Sequence, residues 1–138
     1  MKKGFTITEV VVMLVVFAVL LGFTIPKFIT LVHKAEEGST KHKLVRVRNA
    51  IAAYYGEHQG LYPTDDLSSL VPQYLEKIPE ARIPGYPPSS KVTTGNFEQS
   101  FTNEGGWSYV NDTSDPRFGD FFVNVDAQDS YGKTWMSH

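Results

Sequence analysis

From Phe5 to Ile25 the chain reads FTITEVVVMLVVFAVLLGFTI, twenty-one residues with one charge, Glu9. At 1.5 Å rise per residue a helix of this length spans about 31 Å, close to the hydrocarbon core of a bilayer. The run is apolar around its whole circumference. A helix in a small soluble core is apolar along one stripe, and a remainder of roughly eighty residues is too small to wrap this one. The sequence therefore predicts a membrane-spanning helix. Lys2 and Lys3 precede it, and Lys27, Lys34, Lys41 and Lys43 follow it, so flanking charge gives a mixed orientation signal. The run ends in Gly22-Phe23-Thr24-Ile25-Pro26-Lys27, without the small-residue cleavage pattern of a secretory signal. It reads as retained.

Glu9 is the anomaly in this run. A carboxylate is costly at the centre of an apolar span and less so near the end, where Glu9 lies. Two readings follow: Glu9 sits in the headgroup layer, or it meets a cation within an assembly.

The remaining charge is unevenly divided. Residues 1–56 carry eight bases against three acids, and residues 57–138 carry five bases against twelve acids. A nucleic-acid-binding domain concentrates positive charge on its folded part; here that part is acidic. The bases from Lys41 to Arg48 share a helix with a core-facing stripe and have no aromatic platform beside them, so no nucleic-acid partner is expected. The chain has no cysteine, which excludes disulfides, zinc–thiolate sites, iron–sulfur clusters and thiol nucleophiles.

Beyond the apolar run, Pro26 removes a backbone donor, and Gly22 weakens the same turn. A kink or local opening is expected there. Phe28, Leu31, Val32 and Ala35 continue a helical stripe. Residues 36–43, EEGSTKHK, interrupt it, either as a solvated helix face or as a break at Gly38. Leu44, Val47, Ile51, Tyr54 and Tyr55 then restore one apolar face, and Gly60 stops the helix. In the next segment, Thr64 is the expected cap of a short helix, with Asp65 and Asp66 at its positive end. Residues 79–96, rich in Pro and Gly, read as loop. Trp107–Val110, Phe121–Val125 and Tyr131–Trp135 read as strands of an antiparallel meander. Phe121 and Val123 alternate with Phe122, as in a half-buried strand. The expected core is Trp107, Tyr109, Phe121, Val123 and Trp135 under the helix stripe. The fold class is α+β: a long N-terminal helix packed on a small antiparallel sheet.

The first nine residues carry a resemblance. Lys2-Lys3-Gly4-Phe5-Thr6-Ile7-Thr8-Glu9 resembles the class III signal of type IV pilins and type II secretion pseudopilins. That signal is a short basic leader, a Gly, and then Phe-Thr-x-x-Glu opening an apolar helix. Here the leader is only four residues, and Ile7 and Thr8 stand where Leu and Ile or Val are commoner. Pro26 falls where pilin-like helices carry a kinking proline. Gly60-Leu61-Tyr62-Pro63-Thr64 is similar to a segment that follows the long helix in major pseudopilins.

The resemblance implies the pilin fold, with residues 1–4 as leader, 5–26 as transmembrane and filament-core helix, 27–59 as its amphipathic extension and 60–138 as an α+β head. It implies cleavage between Gly4 and Phe5 by a prepilin peptidase and N-methylation of Phe5. It implies a pairing of Glu9 with the Phe5 amine of a neighbouring subunit. The product would be a homo-oligomeric helical filament, a type II secretion pseudopilus or a type IV pilus. Its partners would be an inner-membrane assembly platform and minor pilins or pseudopilins. It would lie in the bacterial inner membrane before assembly and in a periplasmic or extracellular filament afterwards. The alternative is a monomeric membrane-anchored binding protein with an uncleaved anchor.

The resemblance also implies a calcium site in the C-terminal loops, with Asp126 and Asp129 of Asp126-Ala127-Gln128-Asp129-Ser130-Tyr131-Gly132 as its candidate ligands. The spacing is not that of an EF-hand, and a solvated turn is the simpler reading. No other cofactor is implied. His33, His42, His58 and His138 lack metal-ligand spacing, and the serines lack a nucleophile-elbow context. No catalytic set is expected, and the chain is not read as an enzyme.

Overall fold

The computed structural model describes residues 3–138; Lys2 of the leader lies outside the described residues. The elements are α1 (Ile7–Glu57), a 3-10 turn (Ser68–Leu70), β1 (Val92–Gly95), α2 (Phe97–Ser100), β2 (Trp107–Val110), β3 (Phe121–Val123) and a second 3-10 turn (Trp135–Ser137). The chain divides into two compact units, residues up to Lys34 and Ala35–His138. The second unit therefore holds the last part of α1 together with everything after it.

In the first unit, α1 is long and apolar enough to cross a membrane, and none of its apolar window is buried. Side chains from Val10 to Val32 lie exposed around the helix, Phe17, Leu20, Leu21 and Phe23 among them.

In the second unit, Leu44, Val47, Ala50 and Ile51 bury one face of α1, as the spacing predicts. They meet Trp107, Tyr109, Phe121, Val123, Val125 and Trp135 in one core. Each fully buried aliphatic side chain of this size contributes about 2 kcal/mol. Tyr55 falls outside the core; its side chain is exposed.

The sheet is mixed, and this corrects the antiparallel meander. Its order is β1-β2-β3. β2 and β3 are antiparallel, with Trp107 opposite Val123 and Tyr109 opposite Phe121. β1 and β2 are parallel, with Val92 opposite Trp107 and Gly95 opposite Val110. β1 lies within the stretch expected to be loop: Val92-Thr93-Thr94 is a β-branched run that the surrounding prolines obscure. Parallel neighbours need a crossover, and α2 supplies it. Asn96 accepts from the Gln99 amide, and the Gln99 side chain accepts from the Asn96 amide, a reciprocal cap that starts the helix as β1 ends.

α2 also explains why β3 is buried on both faces rather than half-buried. Phe121 and Val123 face the core. Phe122 lies on the other side against Phe97 and Phe101, with ring centroids 5.5 and 6.2 Å away. Ser108 of β2 donates to the Ser100 carbonyl at 2.7 Å, closing the same side.

The expected last strand is also replaced. Gln128 and Thr134 form a single bridge, and Trp135 opens a 3-10 turn, yet its indole is fully buried as expected.

Two buried aromatics anchor the irregular chain between α1 and β1. Trp107 Nε1 donates to the Pro79 carbonyl at 2.7 Å. Tyr109 Oη donates to the Pro63 carbonyl at 2.6 Å, and burial pushes its phenol pKa upward. Thr64 does not cap the first 3-10 turn, whose N-cap position is Leu67; Asp65 braces it instead, its carboxylate accepting from the amides of Leu67 and Ser69 and from the Ser68 and Ser69 hydroxyls.

Gly106 is constrained by backbone. Its φ is +75°, and an added Cβ would lie 2.7 Å from the Lys91 carbonyl oxygen. That carbonyl accepts from Trp107 N at 2.9 Å, so it cannot move away without loosening the sheet edge. Gly106→Ala is expected to cost about 3 kcal/mol, from left-handed strain plus the backbone clash, measured by urea unfolding of the full chain in micelles.

Candidate functional site

The Gly4-Phe5 junction precedes the first helical residue, Ile7. Phe5 is 76% exposed, and nothing lies within 4 Å of a Cβ built on Gly4. Both sides of that peptide bond are open to an enzyme. Thr6 is the N-cap: its hydroxyl accepts from Glu9 N at 3.3 Å, and its carbonyl accepts from Val10 N at 3.2 Å. Glu9 reaches back, its Oε2 accepting from Thr6 N at 2.8 Å and from the Thr6 hydroxyl at 3.0 Å. This is a capping box.

Glu9 therefore has a partner within its own chain, a third reading beside the headgroup and the neighbouring amine. The signal was present in the sequence as Thr-x-x-Glu before an apolar run. Both bonds of the cap go to the same carboxylate oxygen, Oε2. It also sets the carboxylate one residue from Phe5, whose nitrogen is the amine that cleavage would create.

α1 continues through Pro26 without a break. Pro26 leaves the Gly22 carbonyl without its usual donor. Two threonine hydroxyls bond back along the helix on either side, Thr24 to the Leu20 carbonyl at 2.7 Å and Thr30 to the Pro26 carbonyl at 3.1 Å. Nothing lies within 4 Å of a Cβ built on Gly22, so no neighbour within the chain requires the glycine.

The second place where chemistry concentrates is the loop after β3. The helix does not break at Gly38, and the polar stretch around it is solvated only on one side, where Gly38, Ser39 and His42 are exposed. Glu37 is 5% exposed and Thr40 is fully buried. Glu37 and Lys41 are one turn apart and reach the same loop. Both Glu37 carboxylate oxygens accept from Ser130 N at 3.1 Å. Lys41 Nζ lies 2.5 Å from Asp129 Oδ2, and the Asp129 side chain is 1% exposed. His138 Nε2 sits 2.8 Å from the same oxygen. Asp129 Oδ1 accepts from the amides of Tyr131 and Lys133 at 2.9 and 3.0 Å. The Lys41 ammonium, followed by the Lys133 and Tyr131 amides and His138, holds the Asp129 carboxyl far below the usual range in spite of its burial. Thr40 completes the seam by donating to the Arg82 carbonyl at 2.7 Å and accepting from its amide at 3.0 Å.

This arrangement tests the calcium reading. An ionised carboxylate offers about four lone-pair sites, and those of Asp129 face four donors. A calcium ion would have to displace the Lys41 ammonium, and calcium needs six to eight oxygen ligands. Asp126 is exposed, its own amide tied to Asn103 Oδ1 at 2.7 Å. Among the described residues no three His, Asp or Glu side chains converge on a point suited to a metal ion. The residues present do not fit calcium. Adding calcium or chelator is expected to leave the melting temperature of the full chain in micelles unchanged, read by circular dichroism.

Lys41, Glu37 and Thr6 carry these sites, and sequence reasoning assigned none of them. For Lys41 and Glu37 the only available signal was their i, i+4 spacing, which cannot reveal a partner some ninety positions away.

Comparison with protein-family models, curated proteins and solved structures finds no match to this chain.

Proposed function

We propose that this chain is a structural subunit of a type IV filament, a type II secretion pseudopilus or a type IV pilus, with a pilin fold. The observation that carries the reading is an exposed Gly4-Phe5 junction directly before a helix whose apolar circumference has no cover within the chain. Such a helix needs lipid before assembly and other copies of itself afterwards. Prepilin peptidase cleaves between Gly4 and Phe5 and methylates the new amine. The subunit then leaves the bacterial inner membrane through an assembly platform, with minor subunits, into a periplasmic or extracellular filament. The chain is a substrate of that chemistry rather than a catalyst.

Charge balance supports the same account. Removing the leader places an ammonium on Phe5, beside the Glu9 carboxylate of an adjoining copy. Each charge offsets the cost of burying the other in an apolar filament core.

The deciding experiment is the intact mass and N-terminal residue of the protein recovered from its native membrane. A chain beginning at Phe5 and heavier by one methyl group is expected. A chain beginning at Met1 in a host that processes other prepilins would overturn the reading and leave a monomeric anchored binding protein.

A further inference from the structure

A cavity of about 310 Å³ opens between the last turns of α1 and β3. Its charged residues are two arginines, Arg48 and Arg117, and one aspartate, Asp120. Both guanidiniums are held in place before any ligand arrives. Arg48 Nε donates to the Phe121 carbonyl at 2.9 Å. Arg117 Nε donates to Asp120 Oδ2 at 2.8 Å, and its Cζ lies over the Phe97 ring, 4.0 Å from the centroid. Partial burial lowers the Arg48 pKa, and Asp120 offsets this only in part. The lining thus carries one net positive charge, two guanidiniums against one carboxylate.

The rest of the lining is aromatic and apolar. Tyr55 and Tyr62 form one wall, their rings 4.5 Å apart and tilted by 35°. Tyr62 is fixed from behind by Gly119, where an added Cβ would lie 2.6 Å from the ring. The size is at the lower end of small-ligand sites, and the pattern is theirs: apolar walls with a few placed polar groups.

We infer that this cavity binds a carboxylate on a flat apolar or aromatic body, the carboxylate held by Arg48 and Arg117 and the body against Tyr55 and Tyr62. A single net positive charge suits a monoanion and disfavours a polyphosphate. Planar guanidiniums suit a carboxylate better than an ammonium group would. Two sources can present this chemistry: a free small aromatic acid, or an acidic side chain beside an apolar one on a second copy. The inference does not depend on filament assembly, because the cavity lies within one chain.

The test is nuclear magnetic resonance of the full chain in detergent micelles, with 15N-labelled arginine, titrated with benzoate and separately with benzyl alcohol. Benzoate is expected to move the Arg48 and Arg117 Nε signals saturably, with a dissociation constant on the order of 1 mM. Benzyl alcohol, equal in size and neutral, is expected to leave them in place. Arg48→Gln is expected to weaken binding about tenfold or more. Should that variant fail to fold, Arg117→Gln replaces it, because Arg117 is a surface side chain whose loss leaves Asp120 to cancel Arg48. No saturation by about 50 mM benzoate, equal shifts with benzyl alcohol, or full affinity in a folded variant would overturn the inference. Dilution separates the sources. Arginine signals that return to the free position as protein is diluted assign the carboxylate to a second copy; signals independent of protein concentration assign it to a free acid.

Discussion

Glu9→Gln is expected to leave membrane insertion intact and to reduce filament yield about tenfold or more, through loss of a buried charge partner. Glutamine is the informative replacement. A capping box accepts Gln in place of Glu, so the bonds from Thr6 to Oε2 keep an acceptor while the charge disappears. Glu9→Ala removes cap and charge together, and Thr6→Val removes the hydroxyl part of the cap alone. If pairing with the Phe5 amine matters, the Gln and Ala variants lose filaments alike and Thr6→Val keeps most of them. If the carboxylate serves only its own helix, Glu9→Gln assembles normally and the pairing argument fails. Shed filaments weighed against membrane-bound subunit, by immunoblot, give the ratio directly. Insertion is read from the membrane fraction after carbonate extraction.

Lys41→Met is the second large effect. It leaves the Asp129 carboxylate buried without its ammonium, and the melting temperature of the full chain in micelles is expected to fall by about 10 °C. Adding Asp129→Asn to Lys41→Met should recover part of that loss. Asparagine keeps an acceptor for the Tyr131 and Lys133 amides without an uncompensated charge. A double variant no more stable than Lys41→Met would mean that the charge pair is not the source of the effect. The acid dependence follows from the same carboxylate. Its folded pKa is depressed, so its stabilisation is fully present above the unfolded value of about 3.9. It is lost as pH falls below that value toward the folded pKa. Thermal melts from pH 7 to pH 3 should therefore show less loss below pH 4 in Asp129→Asn, from a lower starting point.

The two halves of the chain differ in how far sequence alone could be read. The helix of the first unit was fully legible, because it is apolar around its whole circumference and long enough to cross a membrane, which length and composition decide directly. The capping box at its start is legible too, as Thr6-x-x-Glu9 before an apolar run. In the second unit the core was legible and the connections were not. Periodicity identified Leu44, Val47 and Ile51, and aromatic and β-branched residues at strand-like spacing identified Trp107, Tyr109, Phe121, Val123 and Trp135. The parallel pairing of β1 was hidden because three β-branched or small residues among prolines give almost no periodic signal. Strand direction depends on a four-residue crossover helix that only its Asn96–Gln99 cap reveals.

By itself, then, the sequence determined that one segment cannot be buried by this chain, that a helix stripe and a few aromatics form the core, and that no thiol chemistry is available. These follow from local composition and spacing, which the chain carries wherever it folds. Tertiary structure alone decided where the charges of the polar stretch at residues 36–43 go. Glu37, Lys41 and Asp129 look like solvated side chains in sequence, and they become a buried seam because the loop after β3 returns to the helix at that turn. It likewise decided that Arg48 and Arg117 share one cavity, although β1, α2 and β2 lie between them in sequence. Charge partners act through distance in space, and long-range contact is the one quantity that local spacing does not encode.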